Sequence, residues 1–313
     1  MSALKILSPG VQSLIVDLGR PGYRHLGVPL SGAADRHSHQ IANWLVGNSS
    51  DAATLEVAFG GLSVRFATPT FISLCGADLD AALDDAPISL WTTIPVEAGQ
   101  TLQLGPPRLG VRSYLAIAGG VDGTSHFNSR TTYTPARLGA NKGRVLAKNT
   151  PLSIGTELGE RNTLPAAFRP ALSNHITLRC RSVSEYERLS SESQRRLFVR
   201  PFTASRQTSR MGARLDAEAP LNLTDDRPLI SSPLPIGTLQ VPPDGRPILS
   251  LIDGHCTGGY VRALRVIASD VWLMGQIGPG TRISFNRCFA EDAPEILNVH
   301  LATWASLIPG YRI

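Results

Sequence analysis

The sequence is poor in the features that mark several protein classes. Charged residues make up 18% of its 313 positions and aromatics 6%, and no basic run is longer than Arg195-Arg196. Nucleic-acid binders cluster positive charge in a stripe, often interleaved with aromatics. The dispersed net charge of +5 therefore suits anionic small molecules or an acidic protein partner, with no nucleic acid. No apolar run approaches the roughly 18 residues that cross a bilayer, and the amino terminus has no apolar core of the kind a signal peptide needs. A cytoplasmic protein with no membrane association is expected. The four cysteines, Cys75, Cys180, Cys256 and Cys288, form no Cys-x-x-Cys pair, so neither a disulfide framework nor a metal site is expected. Gly139 to Arg144 lacks the Gly-Lys-Ser/Thr ending of a phosphate loop, no Gly-x-Gly-x-x-Gly follows a strand, and no lysine is flanked by methionines. Chemistry that needs a nucleotide or a tethered carrier would require machinery on another polypeptide.

What is present is 29 glycines, 23 prolines and many short apolar stretches, which together predict a mainly β chain. Strands are expected at Leu62 to Phe66, Thr70 to Cys75, Thr101 to Leu104, Ser113 to Ala118, Ile176 to Cys180, Pro247 to Ile252, Val261 to Ile267 and Arg282 to Phe285. One helix is expected over Asp35 to Val46, capped by Asp35 and stopped at Gly47-Asn48. A second is expected over Ser184 to Phe198. A terminal helix carries Leu297, Leu301, Trp304 and Leu307. Polar, proline-punctuated sequence between Gly155 and Ser173 reads as a linker, giving domains at 1–165 and 172–313.

The two halves share landmarks in the same order. Arg20-x-Gly22-x-Arg24 returns as Arg210-x-Gly212-x-Arg214, Thr54 to Val57 as Thr238 to Val241, Phe71 to Leu74 as Ile248 to Leu251, and Gly99 to Leu104 as Gly280 to Phe285. Such spacing is expected of two copies of one β domain.

Reactive residues concentrate in two stretches. In Leu251 to Tyr260 a strand opens into Asp253, Gly254, His255, Cys256 and Thr257, followed by Gly258, Gly259 and Tyr260. Alternation along a strand end would turn Asp253 and His255 to one face, a pairing suited to proton transfer because a carboxylate can orient an imidazole that titrates near neutrality. A hydrogen-bonded core histidine is the rival reading. Cys256 has no evident base to activate it. The stretch Asp17 to Asp35 carries Asp17, Arg20, Tyr23, Arg24 and Ser31 on an irregular, glycine-rich path. It reads either as an anion-binding loop or as an Asp17–Arg20 brace, with Asp35 as a helix cap. Gln240, before the stiff turn Val241 to Gly245, could orient a ligand through its amide.

Taken together, Gln12 through Asp35, Leu45 to Asn48, Ala116 to Gly120, Ser129 to Thr132, Ser209 to Gly212, Gln240 to Pro243 and Thr257 to Tyr260 resemble one family. It is the C-type subunit of the ATP-dependent 5-oxoprolinase, also known as a biotin-dependent carboxyltransferase subunit or the second subunit of allophanate hydrolase. The resemblance implies two tandem cyclophilin-like β-barrel domains and an obligate partner, the B-type subunit of the same complex, with a lactam-utilisation subunit of A type as a further partner. It implies a cytoplasmic hydrolase complex that uses ATP to open the lactam of 5-oxoproline, the ATP being bound by the complex. Activating the resonance-stabilised lactam carbonyl, for example by phosphorylation, would make attack by water feasible. On this reading Asp253, His255 and Thr257 are the candidate catalytic residues. The candidate substrate-binding residues are Asp17, Arg20, Tyr23, Arg24, Ser31, Gln240, Gly258, Gly259 and Tyr260.

The same resemblance allows carboxyl transfer from carboxybiotin, carried by another chain, to urea or a related amide. It also allows a non-catalytic module that binds a partner protein. The family pattern has a threonine at Cys256, a proline at Val261 and a methionine at Ala34, and it also differs at Asn128, Ala213 and Glu218. These departures leave the substrate open.

Overall fold

The computed structural model describes residues 4–156, 159–225 and 227–313. The chain divides into two compact units. The first holds residues up to Arg20, Ser31–Leu172 and Trp304–Arg312; the second holds Pro21–Leu30, Ser173–Thr303 and Ile313. Both therefore draw on parts of the chain far apart in sequence, and the contiguous division at 1–165 and 172–313 differs from them in two exchanged segments.

The first unit contains strands β1 (Leu4–Pro9), β2 (Gln12–Val16), β3 (Thr54–Ala58), β4 (Leu62–Phe66), β5 (Thr70–Asp78), β6 (Ala81–Leu83), β7 (Ala86–Pro87), β8 (Thr93–Val96), β9 (Thr101–Leu104), β10 (Leu109–Ile117) and β11 (Pro151–Leu152). They form two sheets, ordered β11-β1-β4-β9-β6-β7 and β2-β3-β10-β5-β8. The alternation of β4 shows how sequence dictates the packing: Leu62, Val64 and Phe66 are buried while Ser63 and Arg65 turn outward. Leu55, Ile72, Leu74, Leu102 and Leu115 join them in one core.

Helix Arg36–Leu45 begins where expected, with the Asp35 carboxylate accepting from the Ser38 amide at 2.9 Å and the Ser38 hydroxyl at 2.6 Å. Its buried face is partly polar, so its hydrogen bonds decide its seat. His39 Nδ1 lies 2.9 Å from the Thr54 hydroxyl, and Asn43 donates to the Ala52 carbonyl at 2.8 Å. The carboxyl-terminal tail supplies the rest. The Tyr311 hydroxyl lies 2.7 Å from His37 Nδ1, Gln40 donates to the Arg312 carbonyl at 2.8 Å, and Trp304 meets the His37 ring edge-on with centroids 4.2 Å apart.

The second unit contains β12 (His175–Ser182), β13 (Phe202–Ala204), β14 (Gly212–Asp216), β15 (Ser232–Pro233), β16 (Thr238–Val241), β17 (Ile248–Ser250), β18 (Thr257–Gly258), β19 (Val261–Val266) and β20 (Arg282–Arg287). Seven of them close into a barrel in the order β12-β19-β16-β17-β14-β13-β20, and β15 pairs with β18 as a separate ribbon. Leu178, Leu239, Leu249, Ala263, Leu264, Ile283 and Phe285 fill the core. The chain is thus mainly β, with a closed barrel in this unit.

Several expectations need adjustment. The helix expected over Ser184 to Phe198 is a short 3-10 turn, Tyr186–Arg188, followed by helix Ser191–Val199. The Ser190 side chain accepts from the Ser193 amide and starts the helix afresh. The strand expected over Pro247 to Ile252 stops at Ser250, and the Gly254 amide donates to the Leu251 carbonyl in a turn. Three of the four repeat landmarks fall on strands in both halves, whereas Arg20 to Arg24 lies in a turn entering a 3-10 helix; β3 and β5 flank β10 while β16 and β17 pair directly, so the halves do not match strand for strand. The terminal helix spans Asp292–Ala305, leaving Leu307 beyond its end. No helix among the described residues is long and apolar enough to cross a membrane.

Candidate functional site

In the second unit β16, β17 and β19 turn Leu239, Val241, Leu249, Val261 and Ala263 into the barrel core. The alternate residues Thr238, Gln240, Ser250 and Arg262 must then face the other way. Arg262 joins this outer face to the β15–β18 ribbon, donating from Nη1 to the Ser232 hydroxyl at 2.8 Å and from Nε to Glu185 at 2.8 Å. Burial alone would raise the Glu185 carboxyl, but hydrogen bonds from Arg262 hold it below the usual carboxylate range. The ribbon is short: Ser232 pairs with Gly258 and Pro233 with Thr257, and the Leu234 amide donates to the Cys256 carbonyl at 2.9 Å.

Arg24 reaches this ribbon from the segment 21–30. Its Nη2 donates to the Leu234 carbonyl at 2.6 Å and, at 3.4 Å, to the His255 carbonyl, while its Nη1 is buried without a hydrogen bond. Tyr23 precedes it, half-buried, with its carbonyl accepting from the Leu26 amide. Gln240 is 7% exposed and its Nε2 is buried with no partner. A Cβ added at Gly258 would lie 2.6 Å from that nitrogen, so the Gln240 side chain would have to shift to admit one.

Asp253 and His255 are not a hydrogen-bonded pair. Asp253 is buried and gripped by Arg210, Nε to Oδ2 at 2.7 Å and Nη2 to Oδ1 at 3.2 Å, while its amide donates to the Arg210 carbonyl at 3.0 Å. His255 is exposed, and its side chain makes no hydrogen bond to the described residues. The reason is the turn after Ser250, which replaces the strand alternation that would have aligned the two. Thr257 is exposed and Cys256, Gly258 and Gly259 are half-buried. Gly259 and Tyr260, the latter 47% exposed, line a cavity of about 570 Å³ with Arg188, Leu221, Asp225, Arg227 and Pro243. Hydrogen bonds from Arg227 and then Arg188 hold the Asp225 carboxyl well below the usual range.

The remaining expected residues, Asp17, Arg20 and Ser31, lie in the first unit. The Asp17 carboxylate accepts from the Gly19 amide at 2.8 Å, the Ser129 and Thr131 hydroxyls at 2.6 Å each and the Arg130 amide at 2.6 Å. Arg20 is fully buried and donates to the carbonyls of His126 and Thr131. Its Nε and Nη2 are spent on backbone carbonyls within a fully buried side chain rather than presented on an open anion-binding loop. Both residues instead anchor the segment 126–131. Ser31 is fully buried at φ 53°.

Tyr23, Arg24, Gln240, Asp253, His255, Thr257, Gly258, Gly259 and Tyr260 all lie in the second unit. Sequence reasoning missed Arg210 as the partner of Asp253, Arg262 with Glu185, and the cavity wall of residues 220–225 and 227–229. Arg262 was detectable as the charged position between Val261 and Ala263; the other two had no local signal. Among the described residues no group of three His, Cys, Asp or Glu is placed to hold a metal ion.

A family model described as the carboxyltransferase domain, subdomain A and B, matches residues 26–287. The chain is 37% identical over 290 residues to the C subunit of 5-oxoprolinase from Escherichia coli (strain K12), covering 93% of each protein. It is 29% identical over 293 residues to the C subunit of 5-oxoprolinase from Haemophilus influenzae, covering 94% of each. The crystal structure of Kluyveromyces lactis urea carboxylase matches with a TM-score of 0.92 at 25% identity, over 99% of this chain and 30% of that one. With the match extending through the barrel and the ribbon from residue 26 onward, the chain belongs to the carboxyltransferase-domain family with subdomains A and B.

Proposed function

We propose that this chain is the C-type subunit of an ATP-dependent 5-oxoprolinase complex, active together with a B-type subunit of the same complex and a lactam-utilisation subunit of A type. The observation that carries this reading is sequence identity. The chain is 37% identical over 290 residues to the E. coli C subunit and 25% identical to the urea carboxylase. ATP is assigned to the assembled complex, because no phosphate loop of the Gly-Lys-Ser/Thr type occurs in this sequence.

The reaction opens a five-membered cyclic amide. One water oxygen bonds to the ring carbonyl carbon, the carbon–nitrogen bond breaks, and the nitrogen takes a proton to become the amine of glutamate; a second water takes up the phosphoryl group that leaves ATP, giving ADP and phosphate. Arg24 Nη2 is engaged by the Leu234 carbonyl, so the donor assigned to the substrate carboxylate is Nη1, which has no hydrogen bond in this structure. His255, Thr257 and Tyr260 are exposed side chains along the ribbon that can exchange protons with the leaving nitrogen. Gly258 and Gly259 permit close approach of backbone to the developing oxyanion. Asp253, held by Arg210, shapes the turn that carries His255.

The test is glutamate release from 5-oxoproline, with and without ATP, by the chain co-expressed with its partners. Release is expected to require ATP and to fall about tenfold or more in Arg24→Ala and His255→Ala variants that still assemble. A complex that assembles and releases no glutamate sinks the proposal. The second reading, carboxyl transfer from carboxybiotin on another chain to urea, is favoured by the TM-score of 0.92 to urea carboxylase; it would then be assayed with a carboxylated carrier and urea.

A further inference from the structure

We infer that the cavity walled by residues 220–225, 227–229 and 243–245 of the second unit binds a small amphipathic carboxylate, whose apolar body is larger than a lactam ring or a urea. The inference is independent of the 5-oxoprolinase reading, and its test separates the two.

The cavity measures about 570 Å³, within the range that takes a drug-sized ligand and well beyond what 5-oxoproline or urea would fill. Its walls are apolar where solvent reaches them. Pro228, Pro243 and Tyr260 are exposed and Leu223 and Leu229 are half-buried, while Val241 and Val261 behind them belong to the barrel core. The prolines fix the wall in shape, so little freedom is lost on binding. At the mouth the apolar surface continues. Ile230, next to the wall residue Leu229, is 93% exposed and Tyr260 is 47% exposed. A Cβ added at Gly259 would lie 3.2 Å from both the Leu229 carbonyl oxygen and the Ser231 hydroxyl, so the segments that carry Ile230 and Tyr260 run side by side. Single exposed apolar residues are ordinary, but two on adjoining segments at the edge of an apolar cavity mark a contact surface.

Charge selects the occupant. Arg188 and Arg227 line the cavity and share the carboxylate of Asp225, Arg227 Nη2 reaching Oδ2 at 2.8 Å and Arg188 Nη2 holding Oδ1. Asp244, also in the lining, is matched by Arg214 at 2.8 Å. Among the described residues the Arg188, Asp225 and Arg227 cluster therefore keeps one positive charge in excess, and Arg227, with 77% of its side chain exposed, presents it to solvent. A cationic ligand is repelled here and a neutral one leaves the charge unmet. Free phosphate has no body to cover the prolines, leucines and Tyr260. A carboxylate on an aromatic or aliphatic body satisfies both the walls and the guanidinium.

The test is calorimetric titration of the full chain, alone and in the assembled complex, with hydrocinnamate, the neutral hydrocinnamyl alcohol and 5-oxoproline. Hydrocinnamate is expected to bind in both settings with a Kd of about 1 mM or tighter and a negative heat-capacity change from apolar burial. The alcohol is expected to bind at least about threefold more weakly, and Arg227→Gln to erase that preference. Ile230→Glu is expected to weaken hydrocinnamate about threefold or more, whereas Ile230→Lys leaves it equal or tighter. Both positions are exposed, so the variants test binding and not folding. No saturable binding, a carboxylate preference that survives Arg227→Gln, or equal affinities in the two Ile230 variants overturns the inference. Displacement of hydrocinnamate by 5-oxoproline would make the cavity part of the reaction site, and binding lost on assembly would make it a subunit contact; either result also overturns it. The 5-oxoprolinase proposal is decided separately, by glutamate release.

Discussion

The guanidinium of Arg210 holds the carboxylate of Asp253 at two points, 2.7 Å and 3.2 Å, with both side chains at or below 8% exposure. Removing one partner of a buried pair strands the other charge, which typically costs about 3–5 kcal/mol. Asp253→Ala is expected to lower stability by that order in urea denaturation. The double variant Arg210→Met, Asp253→Leu is expected to recover most of it. A single variant as stable as wild type would show that the pair does not brace the turn.

Asp17 is expected to behave as an anchor for the segment 129–131. Its carboxylate accepts from two hydroxyls and two amides, so Asp17→Ala leaves several buried donors unmatched, a loss of roughly 3 kcal/mol or more. Hydrogen exchange should report it as lost protection at the Gly19 and Arg130 amides. Protection that survives the substitution would contradict the assignment.

His39 predicts a pH dependence of stability. Burial holds its imidazole down to about 4, from an ordinary value of 6.5, with Arg36 adding to the effect and Asp17 and Glu56 opposing it. The folded state therefore keeps His39 neutral while the unfolded chain protonates it. The contribution is fully present above about pH 6.5 and is lost as pH falls toward 4, on the order of a few kcal/mol across that window. His39→Gln should flatten the curve there, measured as melting temperature against pH. An unchanged slope would place the acid sensitivity elsewhere.

The tail residues 304–312 are expected to stabilise helix Arg36–Leu45. Tyr311→Phe removes the 2.7 Å contact with His37 Nδ1 at a cost of about 1 kcal/mol. Trp304→Ala, which empties a buried site against the His37 ring, is expected to cost about 3–5 kcal/mol. Limited proteolysis of a chain ending at residue 303 should cut within the helix first; a helix that stays resistant would argue against the role.

Local signals carried the secondary structure well. Leu62–Phe66 and Thr101–Leu104 are strands with the bounds that alternation predicts, and Asp35 caps its helix. The reading went astray where one local signal overrode another. The Ser190 hydroxyl restarts a helix inside a continuous apolar pattern, and the turn at Leu251 to Gly254 ends a strand whose composition would have continued it. The candidate residues were legible as a set in the sequence, but Asp17, Arg20 and Ser31 fall in the first unit and the others in the second. The roles of Arg20 and Asp253 were not legible, because a guanidinium has the same sequence signature whether it faces a ligand, a backbone carbonyl or a buried carboxylate.

By itself, the sequence determined the mainly β class, most strand positions and the family resemblance. Strand alternation and helix capping depend on side chains a few positions apart. Only the tertiary structure decided which groups meet. Arg24 finds the Leu234 carbonyl 210 positions away, Gln40 the Arg312 carbonyl 272 positions away, and Asp253 a guanidinium 43 positions back. Those encounters follow from the closure of the barrel and the path of the chain within each unit. The same closure leaves the Gln240 amide facing Gly258 rather than a partner in its own strand.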